Sequence, residues 1–386
     1  MPDERVQMMA RGADAQAEAE GAAPPPRANP DLVGHQSVER ELERLYRTGR
    51  LPHAILLGGP HGIGKATLAF RFARFVLAQG DRSEGPNLLG GVGETGLAVD
   101  PENAVFRRMA AGGHADLLTV ERAWDPRRRR RRGEIVVEDA REITGFFRLT
   151  AAEEGWRIVV IDGAEEMNRN AANAVLKILE EPPGRALLLL VSHNPGRLLP
   201  TIRSRCRRLR LAPLPLPVAA GLIRQYRPQL DAVEADGLAA LCGGSIGRAL
   251  GLADGGGLAL YRAVLDLLAQ VPWIDVGRLH GLADRLARAD AEEAYLATAE
   301  LLLQIIARLA AGVTAGLPGP DRALQHEIVA GENAAIQALA AGAASPACWA
   351  GLRAKIAGDF AAAQELNLDR RQVLLGAFFA IEEMAR

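Results

Sequence analysis

The stretch AILLGGPHGIGKATLAFRFARFVLAQ, Ala54 to Gln79, constrains the fold of this chain more than any other. It opens on a short apolar run closed by glycines, which predicts a buried strand rather than a helix. It ends on a longer run with helical character. Between them, Gly59, Gly62 and Gly64 allow backbone N–H groups to curl around a phosphate at a helix N-terminus. Lys65 stands at the offset from which an ammonium reaches the outer phosphates. Strand, glycine loop, helix and lysine together read as a phosphate-binding loop. One part is misplaced. Such loops follow the lysine with a hydroxyl that holds magnesium, but here Ala66 follows and the hydroxyl arrives one residue late, at Thr67.

Further runs extend the pattern. WRIVVIDGAEEMN holds a second buried strand, Ile158 to Ile161, and RALLLLVSHNP a third. GEIVVEDAREITGFFRLT reads as a brief strand followed by a helix, and AANAVLKILEEPP as a helix stopped by Pro182 and Pro183. A helix is also expected over SVERELERLYRTG, with Ser37 as N-cap and Gly49 at its end. Strands alternating with helices imply a parallel sheet in an α/β domain.

Beyond LRLAPLPLPVAAG the pattern turns wholly helical, with its spaced prolines marking a linker near residue 213. Gly255 to Gly257 mark a second break. Leu302, Ile305, Ile306 and Leu309 form one helical stripe. Leu374, Ala377, Phe378 and Ile381 form another, opened by Asp369 as N-cap. The expected domains are therefore a disordered, Ala/Glu/Pro-rich tail over 1–28, an α/β domain over 29–213, a helical unit over 214–256 and a helical unit over 257–386.

Composition narrows the partners. The 386 residues include 46 basic and 47 acidic side chains, a balance that argues against a whole-protein nucleic-acid trap. Cys206, Cys242 and Cys348 show no paired spacing, so neither a disulfide framework nor a metal knuckle is indicated. No run approaches the ~18 apolar residues of a membrane span, and the N-terminus lacks the apolar core of a secretory signal. A cytoplasmic protein is expected.

Two arginine clusters stand out. TIRSRCRRLRL packs Arg203, Arg205, Arg207, Arg208 and Arg210 together. It reads either as a solvated basic surface or, through Arg205, as an arginine finger aimed at a neighbour's nucleotide. Arg127 to Arg132 read as a mobile loop, or as a contact to DNA phosphates that would be independent of sequence and sensitive to salt. Seven histidines form no close pair and none is assigned a catalytic role. Ser192 and His193 end the third strand, where P-loop ATPases often place a γ-phosphate sensor; a satisfied strand end explains them as well.

Read in order, VGHQSVERELE, LPHAILLGGPHGIGKATLA, IVVEDAREI, RIVVIDGAEEMNRNAANAVLKILEEPP and LPTIRSRCRRL resemble the bacterial clamp-loader family of AAA+ proteins over roughly residues 29–213. AANAVLKILEEPP followed by SRC is the most diagnostic pair. The match over the helical half is weaker and rests on GGSIGRAL and on organisation. The resemblance implies a RecA-like AAA+ domain, a small helical lid and an all-α collar that joins subunits into a five-membered ring. It implies gamma/tau and delta subunits as partners, together with a sliding clamp and primed DNA. Asp162 falls where the family's magnesium-site aspartate lies.

Three catalytic parts are missing relative to the family's motors: the hydroxyl at 66, a water-activating glutamate at 163, where Gly163 stands, and a lid arginine at 247, where Gly247 stands. The resemblance is thus to a stator-like, non-hydrolysing subunit whose Arg205 completes a neighbour's ATP site. Gly59, Gly62, Gly64, Lys65, Thr67 and Asp162 would form a degenerate nucleotide site with weak ATP or ADP binding at most. Relatives often carry a four-cysteine zinc module between the two nucleotide motifs; no cysteine lies between Lys65 and Asp162, so no zinc is expected. An active gamma/tau-like motor is the alternative, and it lacks all three side chains. A small-molecule kinase would explain the loop but not LEEPP, SRC or the helical half.

Overall fold

Strands that read as unbroken apolar runs do so because both of their faces are covered. The computed structural model describes residues 23–79, 96–125, 130–148, 155–314, 328–329, 331–342, 345–366 and 368–385. Its strands are β1 (Ala54–Gly58), β2 (Leu117–Val120), β3 (Trp124–Asp125), β4 (Arg130–Arg131), β5 (Arg157–Asp162), β6 (Ala186–Ser192) and β7 (Arg207–Arg210). β3 and β4 form a small antiparallel ribbon. The others make one parallel sheet in the order β2-β5-β6-β1-β7.

Alternate residues of the three central strands enter two different cores. Ile55, Leu57, Ile158, Val160, Leu187, Leu189 and Val191 pack with helices Gln36–Arg47, Lys65–Gln79 and Ala104–Ala110. Ala54, Leu56, Val159, Ile161, Leu188 and Leu190 pack with helices Val137–Arg148, Arg169–Glu180 and Pro200–Arg205. Each buried Val, Leu or Ile contributes roughly 1.5–3 kcal/mol, an upper figure because the unfolded chain already buries some surface. This is the expected α/β architecture, a parallel sheet with a phosphate-loop turn after its β1 strand and helices following it.

Register then places the chemistry. Gly58 lies opposite Ser192, and Asp162 lies opposite Val191. The ends of β1, β5 and β6 therefore align at one carboxyl edge, where open parallel sheets bind ligands.

Two local expectations need correction. The first helix starts at Gln36 with His35, not Ser37, at its N-cap position. The His35 ring is committed elsewhere, meeting the Ile63 carbonyl at 2.6 Å, and that long-range contact fixes where the helix begins. The brief strand in GEIVV shrinks to a single bridge between Ile135 and Met167. There the Asp139 carboxylate accepts the Val136 N–H at 2.9 Å and turns the chain into the helix from Val137.

The described residues up to Pro215, with Ser245–Gly247, form one compact unit; Leu216–Gly244 with the described residues from Arg248 form a second. The part of the expected tail over 1–22 lies outside the described residues.

The second unit is helical, and both sequence stripes are buried in its core. Trp349, Tyr261 and Tyr295 fill its centre. Glu332 is fully buried but paired: its carboxylate accepts the Tyr261 hydroxyl and the Ile328 N–H and meets Arg308. A buried charge needs such partners. Asp369 accepts the Arg371 N–H at 2.9 Å at the head of the last helix.

Among the described residues no helix is long and apolar enough to cross a membrane. No group of three His, Cys, Asp or Glu side chains among them is placed to hold a metal ion.

Candidate functional site

β1 runs directly into the phosphate loop, and the loop is tied down along its length. The Lys65 ammonium donates to the Pro60 carbonyl. The Ser245 hydroxyl donates to the His61 carbonyl at 2.7 Å, and the Gly247 N–H donates to the Gly62 carbonyl at 2.8 Å. With His35 on Ile63, consecutive carbonyls from 60 to 63 all have partners within the protein. Gly59, Gly62 and Gly64 make the turn with φ of 155°, 73° and 94°.

Gly247 touches this loop as only a glycine can. A Cβ there would lie 2.9 Å from Gly62 Cα and 3.2 Å from its carbonyl oxygen. These are backbone atoms that cannot swing aside. Gly163 is constrained differently: its φ is +77°, and a Cβ would meet the Glu166 carboxylate at 2.4 Å. L-residues with side chains avoid that backbone region.

The charged groups around the loop have perturbed protonation. Burial pushes the Lys65 ammonium down to about 8, against the pull of Glu165 and Asp162. Burial raises the Asp162 carboxyl, with Glu121 adding to the effect and Lys65 opposing it. Thr67 is buried in helix Lys65–Gln79. One residue is about 100° of helix, so its hydroxyl lies on a different face from residue 66.

Glu165, two residues past Gly163, is a further participant at this edge. Its carboxylate accepts the backbone N–H groups of His193 at 2.7 Å and Asn194 at 3.0 Å, tying β5 to the end of β6. Burial pushes its carboxyl up, but hydrogen bonds to it, including the one from the His193 N–H, hold it below its ordinary value. The only sequence signal was its place just after an apolar strand. His193 packs edge-on to His61, with ring centroids 4.5 Å apart. Burial, then Lys65 and His61, push the His193 imidazole down to about 4, so it is neutral at pH 7. Glu166 pairs with Arg122 at 2.8 Å.

Arg205 has a different environment. It is the last residue of helix Pro200–Arg205, and its Nη2 meets Glu180 Oε1 at 2.9 Å while Nη1 donates to the Thr201 carbonyl at 3.1 Å. Its side chain is 37% exposed. The neighbouring arginines line edge strand β7, where Arg207, Arg208 and Arg210 are exposed and Arg207 meets Glu41 at 3.1 Å. Charged side chains discourage pairing of such an edge with another chain. Of the run Arg127–Arg132, Arg127 to Arg129 lie outside the described residues. Arg131 pairs with Glu121 at 2.9 Å.

The loop's geometry suits a phosphate: a positive-φ glycine turn, a helix N-terminus and a lysine beside it. It does not suit the magnesium that normally accompanies that phosphate, because position 66 offers only a methyl group.

Residues 34–215 match the family described as DNA polymerase III, delta subunit. A Pseudomonas aeruginosa protein named DNA polymerase III subunit delta' is 41% identical over 198 residues, covering 50% of this chain and 53% of that protein. Residues 34–215 are therefore similar to DNA polymerase III delta' subunits over that stretch. The Escherichia coli K12 subunit delta' is 33% identical over 218 residues, covering 56% of this chain and 58% of its own. The DNA polymerase III subunit tau of the same organism is 29% identical over 208 residues, covering 53% of this chain and 28% of its own. The chain thus spans just over half the length of these two delta' relatives. The delta-prime-like segment contains the phosphate loop, Asp162 and Arg205, and ends where the first run of the first unit ends, at Pro215.

Proposed function

We propose that this chain is a stator-like, non-hydrolysing subunit of the bacterial DNA polymerase III clamp loader, and that it supplies Arg205 to ATP held by an adjoining subunit. The contact of Gly247 with Gly62 carries the reading. A motor of this family needs an arginine at 247, and here the loop backbone stands where even a Cβ would go. The left-handed backbone at Gly163 and the methyl of Ala66 support the same conclusion independently.

In this reading the chain's own loop is scaffold, binding ATP or ADP weakly at most and requiring neither nucleotide nor zinc. Phosphoryl transfer spreads negative charge over the transferred group, and an arginine donated in trans stabilises that charge. Arg205 can do so because it lies at a helix end with its side chain 37% exposed, and a guanidinium presents a rigid fork of N–H donors. The helical stretches over 214–256 and 257–386 would serve as lid and ring-forming collar. Gamma/tau and delta subunits, a sliding clamp and primed DNA would be the partners, in the cytoplasm.

The purified chain tests the first half of the proposal. It should show no ATP turnover with or without primed DNA. Robust turnover by the isolated chain would instead make it a gamma/tau-like motor, a reading that the retained Lys65 and Asp162 keep alive.

A further inference from the structure

Arg205 is fixed at both its backbone and its head. On the backbone side, the next residue, Cys206, is buried in the core beneath the sheet with Ile202, and the Ser204 hydroxyl donates to the Thr201 carbonyl at 3.0 Å. These contacts set where the helix ends and β7 begins. At the head, Glu180 and the Thr201 carbonyl take the two terminal nitrogens of the guanidinium.

The position of Glu180 is unusual. It is the last residue of helix Arg169–Glu180, with Glu181 as C-cap, and a helix C-terminus carries partial negative charge. A carboxylate there is unfavourable unless a cation answers it. Lys177 is the basic residue of that last turn, yet the cation that Glu180 engages comes from a different helix.

We propose that Glu180 is the positioning residue for Arg205: it holds one part of the guanidinium so that the remaining donors are pre-set for the phosphoryl group of a nucleoside triphosphate bound by an adjoining subunit. This rests on the proposed role of Arg205. A guanidinium has five N–H donors in a rigid fork, so two partners leave donors for a third. An unrestrained arginine at 37% exposure would have to be ordered on engagement; one already paired loses less freedom.

The test uses the reconstituted complex with its partner subunits, clamp and primed DNA. The contribution of Arg205 is read as the kcat difference between the wild-type and Arg205→Ala complexes. Glu180→Ala should reduce that contribution about two- to five-fold, the size of an exposed ion pair, at unchanged KM and unchanged assembly. Glu180→Gln, which keeps an acceptor oxygen, should restore part of it.

In the Arg205→Ala background, Glu180→Ala should do nothing further, because two residues acting as one unit are not additive. If the two substitutions multiply, or if Glu180→Ala leaves kcat intact while Arg205→Ala lowers it, the positioning role is refuted and the finger stands. If Arg205→Ala itself has no effect, the finger reading falls and the positioning role with it.

Discussion

The phosphate loop and the Arg205 corner are built in opposite ways. At the loop everything is turned inward. Its carbonyls are tied to the rest of the unit, its lysine is buried against its own chain, and Gly247 lies against the loop backbone. At the corner the backbone is equally fixed, but the charged head remains at the surface in an ion pair with Glu180. A group tied into its own fold supports stability; a group held at the surface is available to a partner. The difference teaches that one unit can hold two charged groups in opposite ways, one inward and one at the surface.

Substitutions can break or sharpen this contrast, and their effects on stability should fall in a definite order. Gly247→Arg should be the most damaging, at about 3 kcal/mol, because overpacking against backbone cannot relax by a rotamer change. Denaturant unfolding would show it, and a neutral result would mean the loop is looser than its contacts indicate.

Lys65→Met should act in the other direction. The folded state lowers the Lys65 ammonium from 10.5 to about 8. The unfolded chain therefore binds the extra proton between those values, and wild-type stability should rise as pH climbs from about 8 to 10.5. Below that window the full penalty stands, up to about 3 kcal/mol from 1.36 kcal/mol per unit. Methionine should relieve it at pH 7, and the advantage should fade by pH 10.5.

Ser245→Ala should cost about 1 kcal/mol, through the lost hydrogen bond to the His61 carbonyl. Arg205→Ala should cost the isolated chain least, between about 0 and 1 kcal/mol, as exposed ion pairs do. A large loss of stability there would mean that Arg205 is a structural residue.

How much of this was legible depends on what each residue touches. β1, β5 and β6 were readable because burial on both faces leaves a continuous apolar signature. β2 and β7 were not: LLTV is only part-buried and RRLR has a single apolar residue, since both lie at sheet edges. The two helical stripes were readable because each packs one face inward.

At the site, the sequence showed glycine at 163 and 247 but not what surrounds them. Gly247 lies against the Gly62 backbone, and Gly163 adopts a left-handed φ of +77° beside Glu166. The first of these contacts joins residues 185 positions apart (247 − 62), and spacing carries no sign of it. Arg205 was singled out by its resemblance to the SRC arginine; its partner Glu180 was visible only in three dimensions.

The stability order should reverse when function is read. The most direct measurement is DNA-stimulated ATP turnover by the complex reconstituted with clamp, comparing wild type, Lys65→Ala and Arg205→Ala. An arginine donated in trans is worth roughly 10³–10⁵ in rate at the site it serves. Arg205→Ala should therefore remove nearly all turnover at one adjoining site, while Lys65→Ala leaves turnover close to wild type. The opposite pattern, with turnover lost in Lys65→Ala and kept in Arg205→Ala, would contradict the account.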